Sequence, residues 1–419
     1  MTATNTSSGS LDGIRVVDLS RVLAGPLCTQ LLSDHGADVV KVEPPSGDET
    51  RTWGPPFVRE DMSAYFSALN RNKSNICLDL RTPEGQEVLA ELLRHADVLV
   101  ENFKPGTLAR WGFTGSRIRQ DFPALIHCRV TGFGVDGPMG AMPGYDAVLQ
   151  AYSGLMSMNG EPGGAPMRVG VPVVDMVTGS YAFSGILLAL HERQRSGLGQ
   201  VVDCTLVDSA ISLLHPHSAS YLSDGNVPQR TGSAHPTIAP YDVFDAEDGL
   251  IFIGVGNDRQ FGELLTLLDL PSLPRFASNA DRLANLGELR ALLAGRIKTH
   301  RRRPLAERLL ARGVPATAVH DVAEALHDPH VLHREMVVRR GDYQGIGIPI
   351  KLDRTPGSVR TPPRRQGEDT RMVLTGLGYD AEEIESLISS GTAHDDGRQT
   401  LDRHQRHAVS TAGPRVRER

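Results

Sequence analysis

The stretch GIRVVDLSRVLAGPLCTQLLSDHGADVVKVE, Gly13–Glu43, decides the fold. GIRVVDLS is rich in β-branched residues and reads as a strand. Pro26 suits the first turn of a helix, and Gly36 suits the position just past its C-terminus. DVVKVE, Asp38–Glu43, reads as a second strand. Strand, helix and strand make a βαβ unit, with a right-handed crossover and a parallel pair.

The same rhythm continues. SNICLDL is a strand, and TPEGQEVLAELLRHA is a helix with Thr82 as N-cap and Pro83 at its first position. DVLVENF is a strand, GTLARWG a short helix and ALIHCRV another strand. The alternation predicts a doubly wound, Rossmann-like α/β domain with a parallel sheet. The first βα turn reads RVLAGP and lacks G-x-G-x-x-G, which argues against a dinucleotide site. A long helix is expected beyond Gly179, then a strand running into a helix over GQVVDCTLVDSAISLL. The polar, Gly/Pro-rich run Ser223–Pro236 marks a boundary. YDVFDAEDGLIFIGVG reads as a hairpin turning near Asp248-Gly249, followed by three helices, the makings of a smaller α+β domain. The expected division is residues 10–222 and 333–391 for the large domain and 223–332 for the small one. Residues 1–9 and 392–419 are expected to be disordered; the tail is almost without apolar residues.

Composition bounds the function. The chain has 419 residues, 40% hydrophobic and 22% charged, ordinary for a soluble globular protein. A net charge of -6 argues against a general nucleic-acid binder. Cys28, Cys77, Cys128 and Cys204 lie far apart with no metal-ligand spacing, so no metal is expected and they read as buried thiols in a reducing cytoplasm. The N-terminus shows no basic and apolar export signal.

RVGVPVVDMVTGSYAFSGILLAL, Arg168–Leu190, is apolar almost throughout, yet holds Asp175. Its uninterrupted apolar run is too short to span a bilayer, so no membrane partner is expected. A buried, unpaired carboxylate costs several kcal/mol, so Asp175 either ends a structural element or does chemistry. From this segment alone an ordinary helix N-cap is the simpler reading.

Taken in order, LDGIRVVDLSRVLAGP, GADVVKVEPPSGDETR, NRNKSNICLDLRTPEG, ADVLVENFKPG, GYDAVLQAYSG, VDMVTG, SGLGQVVDCTLVDSA and GNDRQF resemble the family III CoA-transferases, over about Leu11 to Gly391. The resemblance implies that Asp175, in the VD segment at the start of a helix, is a nucleophile. It would attack an acyl-CoA to give an aspartyl anhydride, then an aspartyl-CoA thioester, with a coenzyme A thioester as substrate and no permanently bound cofactor. Carboxylates act as covalent nucleophiles in other enzymes. Tyr145 and Asp146 correspond to a tyrosine–acid pair facing the nucleophile, although Asp146 also reads as a turn residue before a helix.

For CoA binding, the resemblance implies Val22 and Ala24 in the first βα turn, Leu78 and Arg81 near the adenine and ribose phosphate, and Asn102, Phe103, Lys104 and Arg110 near the pyrophosphate and adenine. The three cations read equally as solvated surface charges. Gly254 and Gly256 match an active-site glycine loop, or a plain turn after a strand. Arg168 or His235 would meet a distal acceptor carboxylate. Formyl-CoA transferase has glutamine at Leu23 and arginine at Pro44, so this chain's chemistry and CoA contacts differ there.

The family also implies an interlocked homodimer, acyl-CoA and carboxylic acid partners, and a donor such as succinyl-CoA. The nearest alternative is an α-methylacyl-CoA racemase, whose histidine base falls at Tyr145; a phenol with a pKa near 10 suits that task poorly. The alternative of another class is a non-catalytic acyl-CoA-binding protein.

Overall fold

The computed structural model describes residues 9–396. Packing divides the chain into two units. One comprises Met1–Pro143, Asp175–Leu206 and Val338–Arg419, the other Gly144–Val174 and Val207–Val337.

In the first unit, strand β1 (Arg15–Asp18) leads through α1 (Ala24–Asp34) to β2 (Asp38–Glu43). Strand β3 (Lys73–Leu78) precedes α2 (Pro83–Arg94), β4 (Val98–Glu101), α3 (Thr107–Arg110) and β5 (Ile126–Thr131). After α4 (Val173–Ser196) comes β6 (Val201–Thr205). The strand order is β3-β2-β1-β4-β5-β6, and every one of these neighbours is parallel. This is the doubly wound order, with its switch point between β1 and β4.

Local chemistry accounts for the elements. Thr82 accepts the Gly85 N–H and Pro83 starts α2, as the sequence predicts. The core below the strand ends gathers Val17, Val42, Ile76, Leu89, Leu99 and Phe113, all nearly inaccessible.

Three expectations need correction. The tail beyond 391 was expected to be disordered, yet Ala393–His394 pairs antiparallel with β3 at the sheet edge; residues 1–8 and 397–419, which carry the rest of that expectation, lie outside the described residues. The polar run Ser223–Pro236 falls inside the second unit, which also takes in 144–174 and 207–222; Ser223 and Asp224 end the helix His217–Asp224, and the rest of the run is a loop between elements of one unit. The long helix starts at Val173, well before Gly179.

Helix α4 has 24 residues and is long and apolar enough, by length and composition, to cross a membrane. Ala182 and Ile186 are fully buried within the protein, and Arg193 near its end donates to Asp97 at 2.7 Å and to the Ala124 carbonyl at 3.0 Å.

A buried ionic network joins the ends of β1 and β2, at Asp18 and Glu43, to Lys73 at the start of β3. Asp18 pairs with Lys73 at 3.1 Å and accepts from Thr29 at 2.6 Å. Lys41 pairs with Asp48 at 3.0 Å, and Glu43 takes a two-pronged ion pair from Arg51 at 2.7 and 2.8 Å. Burial alone would raise the Asp18 carboxyl, but Lys73, Lys41 and two hydroxyls hold it down at about 2. Burial pushes the Lys73 ammonium down to about 8 against the pull of Asp18.

The second unit contains the predicted hairpin. Strand β7 (Tyr241–Ala246) pairs antiparallel with β8 (Gly249–Gly254), and β9 (Ala316–Ala318) adds on the other side of β8. Its own core packs Ile251 and Ile253 with Phe261 and Leu264 of α5 (Asp258–Leu267), and with Leu289 and Leu293.

Candidate active site

The C-terminal ends of β1 to β4 enclose a cavity of about 430 Å³ in the first unit. Its walls are Leu19, Val42, Leu78, Leu80, Phe103 and Trp111, and Arg21, Arg81 and Lys104 bring cationic side chains to it. Phe103 and Trp111 meet edge to face with centroids 5.2 Å apart. The Arg21 guanidinium lies 5.7 Å from the Phe103 ring centre. An apolar aromatic wall beside cations is the combination that a nucleotide with phosphates requires. Its place, at strand ends beside the switch point, is where open α/β sheets bind ligands.

Four of the expected CoA residues, Leu78, Arg81, Phe103 and Lys104, line this cavity. Arg81 is already engaged: its guanidinium grips the Asp79 carboxylate at 2.7 and 2.8 Å, which holds that carboxyl below its usual range. A phosphate there would share the arginine with Asp79. Val22 sits in the first βα turn and Ala24 opens α1; Val22 has φ 69, a left-handed conformation rare for a β-branched residue. Asn102 and Arg110 are not lining residues. Arg110 is exposed and donates to Thr107 at 3.0 Å. Pro44, where the formyl enzyme has arginine, lines the cavity with Pro45 and Ser46.

Sequence reasoning missed Arg21 and Trp111. The available signal for Arg21 was its place in the turn directly after the first strand. Its Nε is buried and has no hydrogen-bond partner among the described residues.

Asp175 is the third residue of α4 and is half-buried. It therefore sits inside the first turn and not before the helix, as the sequence suggested. The reason is a cap supplied from afar: Asp146 accepts the Val174 N–H at 2.8 Å. With that orphan N–H satisfied, the helix begins before Asp175. A carboxylate in the first turn still benefits from the macrodipole by about 0.3–1 kcal/mol. One turn further on, a side chain at Gly179 would place its Cβ 2.6 Å from the Ala24 carbonyl oxygen. Glycine there lets α4 press onto the first turn of α1.

The remaining candidates belong to the second unit. Asp146 is buried and opens the helix Asp146–Tyr152; its other oxygen accepts from Gln150 at 2.6 Å. Tyr145 precedes it and is exposed. Gly254 donates to the Pro315 carbonyl at 2.9 Å, and a Cβ there would meet the Tyr241 ring at 3.0 Å. The Gly256 N–H donates to Gln260, which in turn donates to the Gly313 carbonyl. Arg168 is exposed and donates to the Val169 and Gly170 carbonyls. His235 accepts the Thr237 N–H at 3.1 Å through Nδ1.

Residues 11–370 match the model of CoA-transferase family III. The succinate–glutarate CoA-transferase of Agrobacterium fabrum is 41% identical over 88% of this chain and 95% of its own length. The human succinyl-CoA:glutarate CoA-transferase is 36% identical over 95% of this chain and 91% of its own. Among solved structures, a CaiB/BaiF family protein from Brucella suis superposes with a TM-score of 0.83 at 41% identity, covering 88% of this chain and all of that one. The chain belongs to CoA-transferase family III and is a CoA-transferase.

Proposed function

We propose that this enzyme moves CoA from succinyl-CoA to a dicarboxylic acid, with glutarate the first acceptor to test, through a covalent intermediate on Asp175. The observation that carries the reading is the cavity in the first unit, lined by Arg21 of the turn that leads into α1, the helix against which the Asp175 helix packs at Gly179. The relatives named for succinyl and glutaryl transfer support the acid pair.

In this mechanism an Asp175 oxygen attacks the donor acyl carbon and the C–S bond breaks, releasing CoA thiolate and leaving an acyl-aspartyl anhydride. The thiolate then attacks the aspartyl carbonyl, giving aspartyl-CoA and free succinate, which leaves with one aspartate oxygen. The acceptor carboxylate attacks the aspartyl carbonyl and the C–S bond breaks, giving an acceptor–aspartyl anhydride and CoA thiolate; the thiolate then attacks the acceptor's acyl carbon and breaks its bond to the bridging oxygen. The product is a new thioester, and Asp175 retains one acceptor oxygen. Thioester energy is conserved, so ATP is not needed. Each step passes through a tetrahedral oxyanion that main-chain donors stabilise. Asp146 holds the start of α4 in register through Val174, and Tyr145 faces the acceptor. Arg168 or His235 receives the acceptor's distal carboxylate, and the Gly254–Gly256 loop excludes water. The enzyme works in the cytoplasm as an interlocked homodimer, with no resident cofactor and no nucleic-acid or membrane partner.

Arg21 is assigned to the CoA phosphates with Lys104. Arg21→Ala is expected to weaken CoA binding about tenfold or more, the scale of a charge-assisted hydrogen bond. Isothermal titration calorimetry reads this directly; an unchanged Kd removes Arg21 from the site.

The reaction class is tested in deuterium oxide. With a 2-methylacyl-CoA alone, the enzyme is expected to incorporate negligible α-deuterium, whereas succinyl-CoA plus glutarate yields glutaryl-CoA with ping-pong kinetics. Rapid α-exchange without transfer would make it a racemase, and CoA binding without either reaction a non-catalytic binder.

A further inference from the structure

The first βα turn is held from several sides. The Ser20 N–H donates to Asp18 at 2.9 Å, and its carbonyl accepts from the buried Lys41 ammonium at 2.7 Å. The next peptide groups are held by one side chain: Asn102 accepts the Arg21 N–H at 2.9 Å and donates to the Arg21 carbonyl at 2.7 Å. The amide's orientation is fixed by these partners, since a backbone N–H needs the oxygen and a carbonyl needs the nitrogen. Directly after this clamp comes Val22 at φ 69. A non-glycine residue keeps such a conformation only where its surroundings over-determine it.

We propose that Asn102 is a positioning residue. It clamps the Arg21 peptide groups so that Val22 stays in the left-handed region and the Arg21 side chain enters the cavity. The family resemblance implied a CoA contact for Asn102, whereas the geometry gives it an indirect task. Asn102 is not a lining residue of the cavity, and its oxygen and nitrogen each serve Arg21. The cavity instead receives Arg21, whose Nε has no protein partner among the described residues. The inference rests on the cavity being the CoA site.

Glycine provides the test, because it adopts positive φ at no steric cost and needs no clamp. CoA titration is run on the full-length wild type, Asn102→Ala, Val22→Gly and the double variant. Asn102→Ala is expected to weaken CoA binding about tenfold, the scale of losing paired hydrogen bonds. Adding Val22→Gly to it is expected to recover about half of that loss on a logarithmic scale, with kcat changing less than KM throughout. Should Asn102→Ala fail to fold, Asn102→Asp keeps the acceptor for the Arg21 N–H and replaces it in the series. A double variant that binds no more tightly than the Asn102 variant overturns the positioning role, as does an Asn102 variant that binds like the wild type. A wild type that does not bind CoA overturns the reading of the cavity itself, a separate outcome.

Discussion

Asp175→Ala is expected to lower CoA transfer by about 10⁴-fold or more, the scale on which removing a covalent nucleophile acts. Asp175→Asn should fall equally far, since an amide cannot form the anhydride, while keeping the shape of the first turn of α4. CoA affinity should stay within about twofold of wild type, because the cavity's walls and cations are other residues. Transfer is followed as glutaryl-CoA formation and affinity by calorimetry. Either variant retaining more than a few per cent of the wild-type rate would remove Asp175 from the mechanism.

The second large effect is on stability. Asp18→Ala leaves Lys73 buried beside no carboxylate of its own, and breaking a buried pair in this way costs about 3–5 kcal/mol. Urea unfolding measures it, and a loss below about 1 kcal/mol contradicts the assignment. Pairing the change with Lys73→Met should recover part of the loss, because the uncompensated charge goes too. The pH dependence has a definite sign. Asp18 has its folded pKa depressed to about 2. Its contribution is therefore complete above about pH 4 and fades as pH falls through about 2. The gap between wild type and Asp18→Ala should narrow over that acid window.

Where the causes are local, the sequence was legible. Thr82 and Pro83 start α2, and the hairpin turns through Glu247 and Asp248 with Gly249 opening β8, near the expected Asp248-Gly249, because caps and turns depend on neighbouring residues. The βαβ rhythm also led to the parallel sheet, since crossover handedness leaves few topologies. Distant causes were not legible. Asp at the head of an apolar helix is a good N-cap by propensity, yet Asp175 lies within the helix because Asp146, 28 residues before Val174, satisfies the Val174 N–H. The two-residue strand Ala393–His394 has no periodicity to read; its pairing comes from the open edge of β3. Arg21 joins Phe103 and Trp111 only once β1 and β4 lie side by side. The family resemblance reached Phe103 and Lys104 of the cavity, but it could not separate Asn102, which serves the Arg21 backbone, from the lining residues.

The most direct measurement follows an oxygen atom. The enzyme is turned over with succinyl-CoA and glutarate carrying oxygen-18 in its carboxylates, and the peptide containing Asp175 is analysed by mass spectrometry. In the anhydride mechanism the returning thiolate breaks the bond on the acceptor side, so an acceptor oxygen stays with the enzyme. The account predicts oxygen-18 in the Asp175 side chain after turnover, and none when succinyl-CoA is withheld. Full transfer to glutaryl-CoA with Asp175 unlabelled would contradict it.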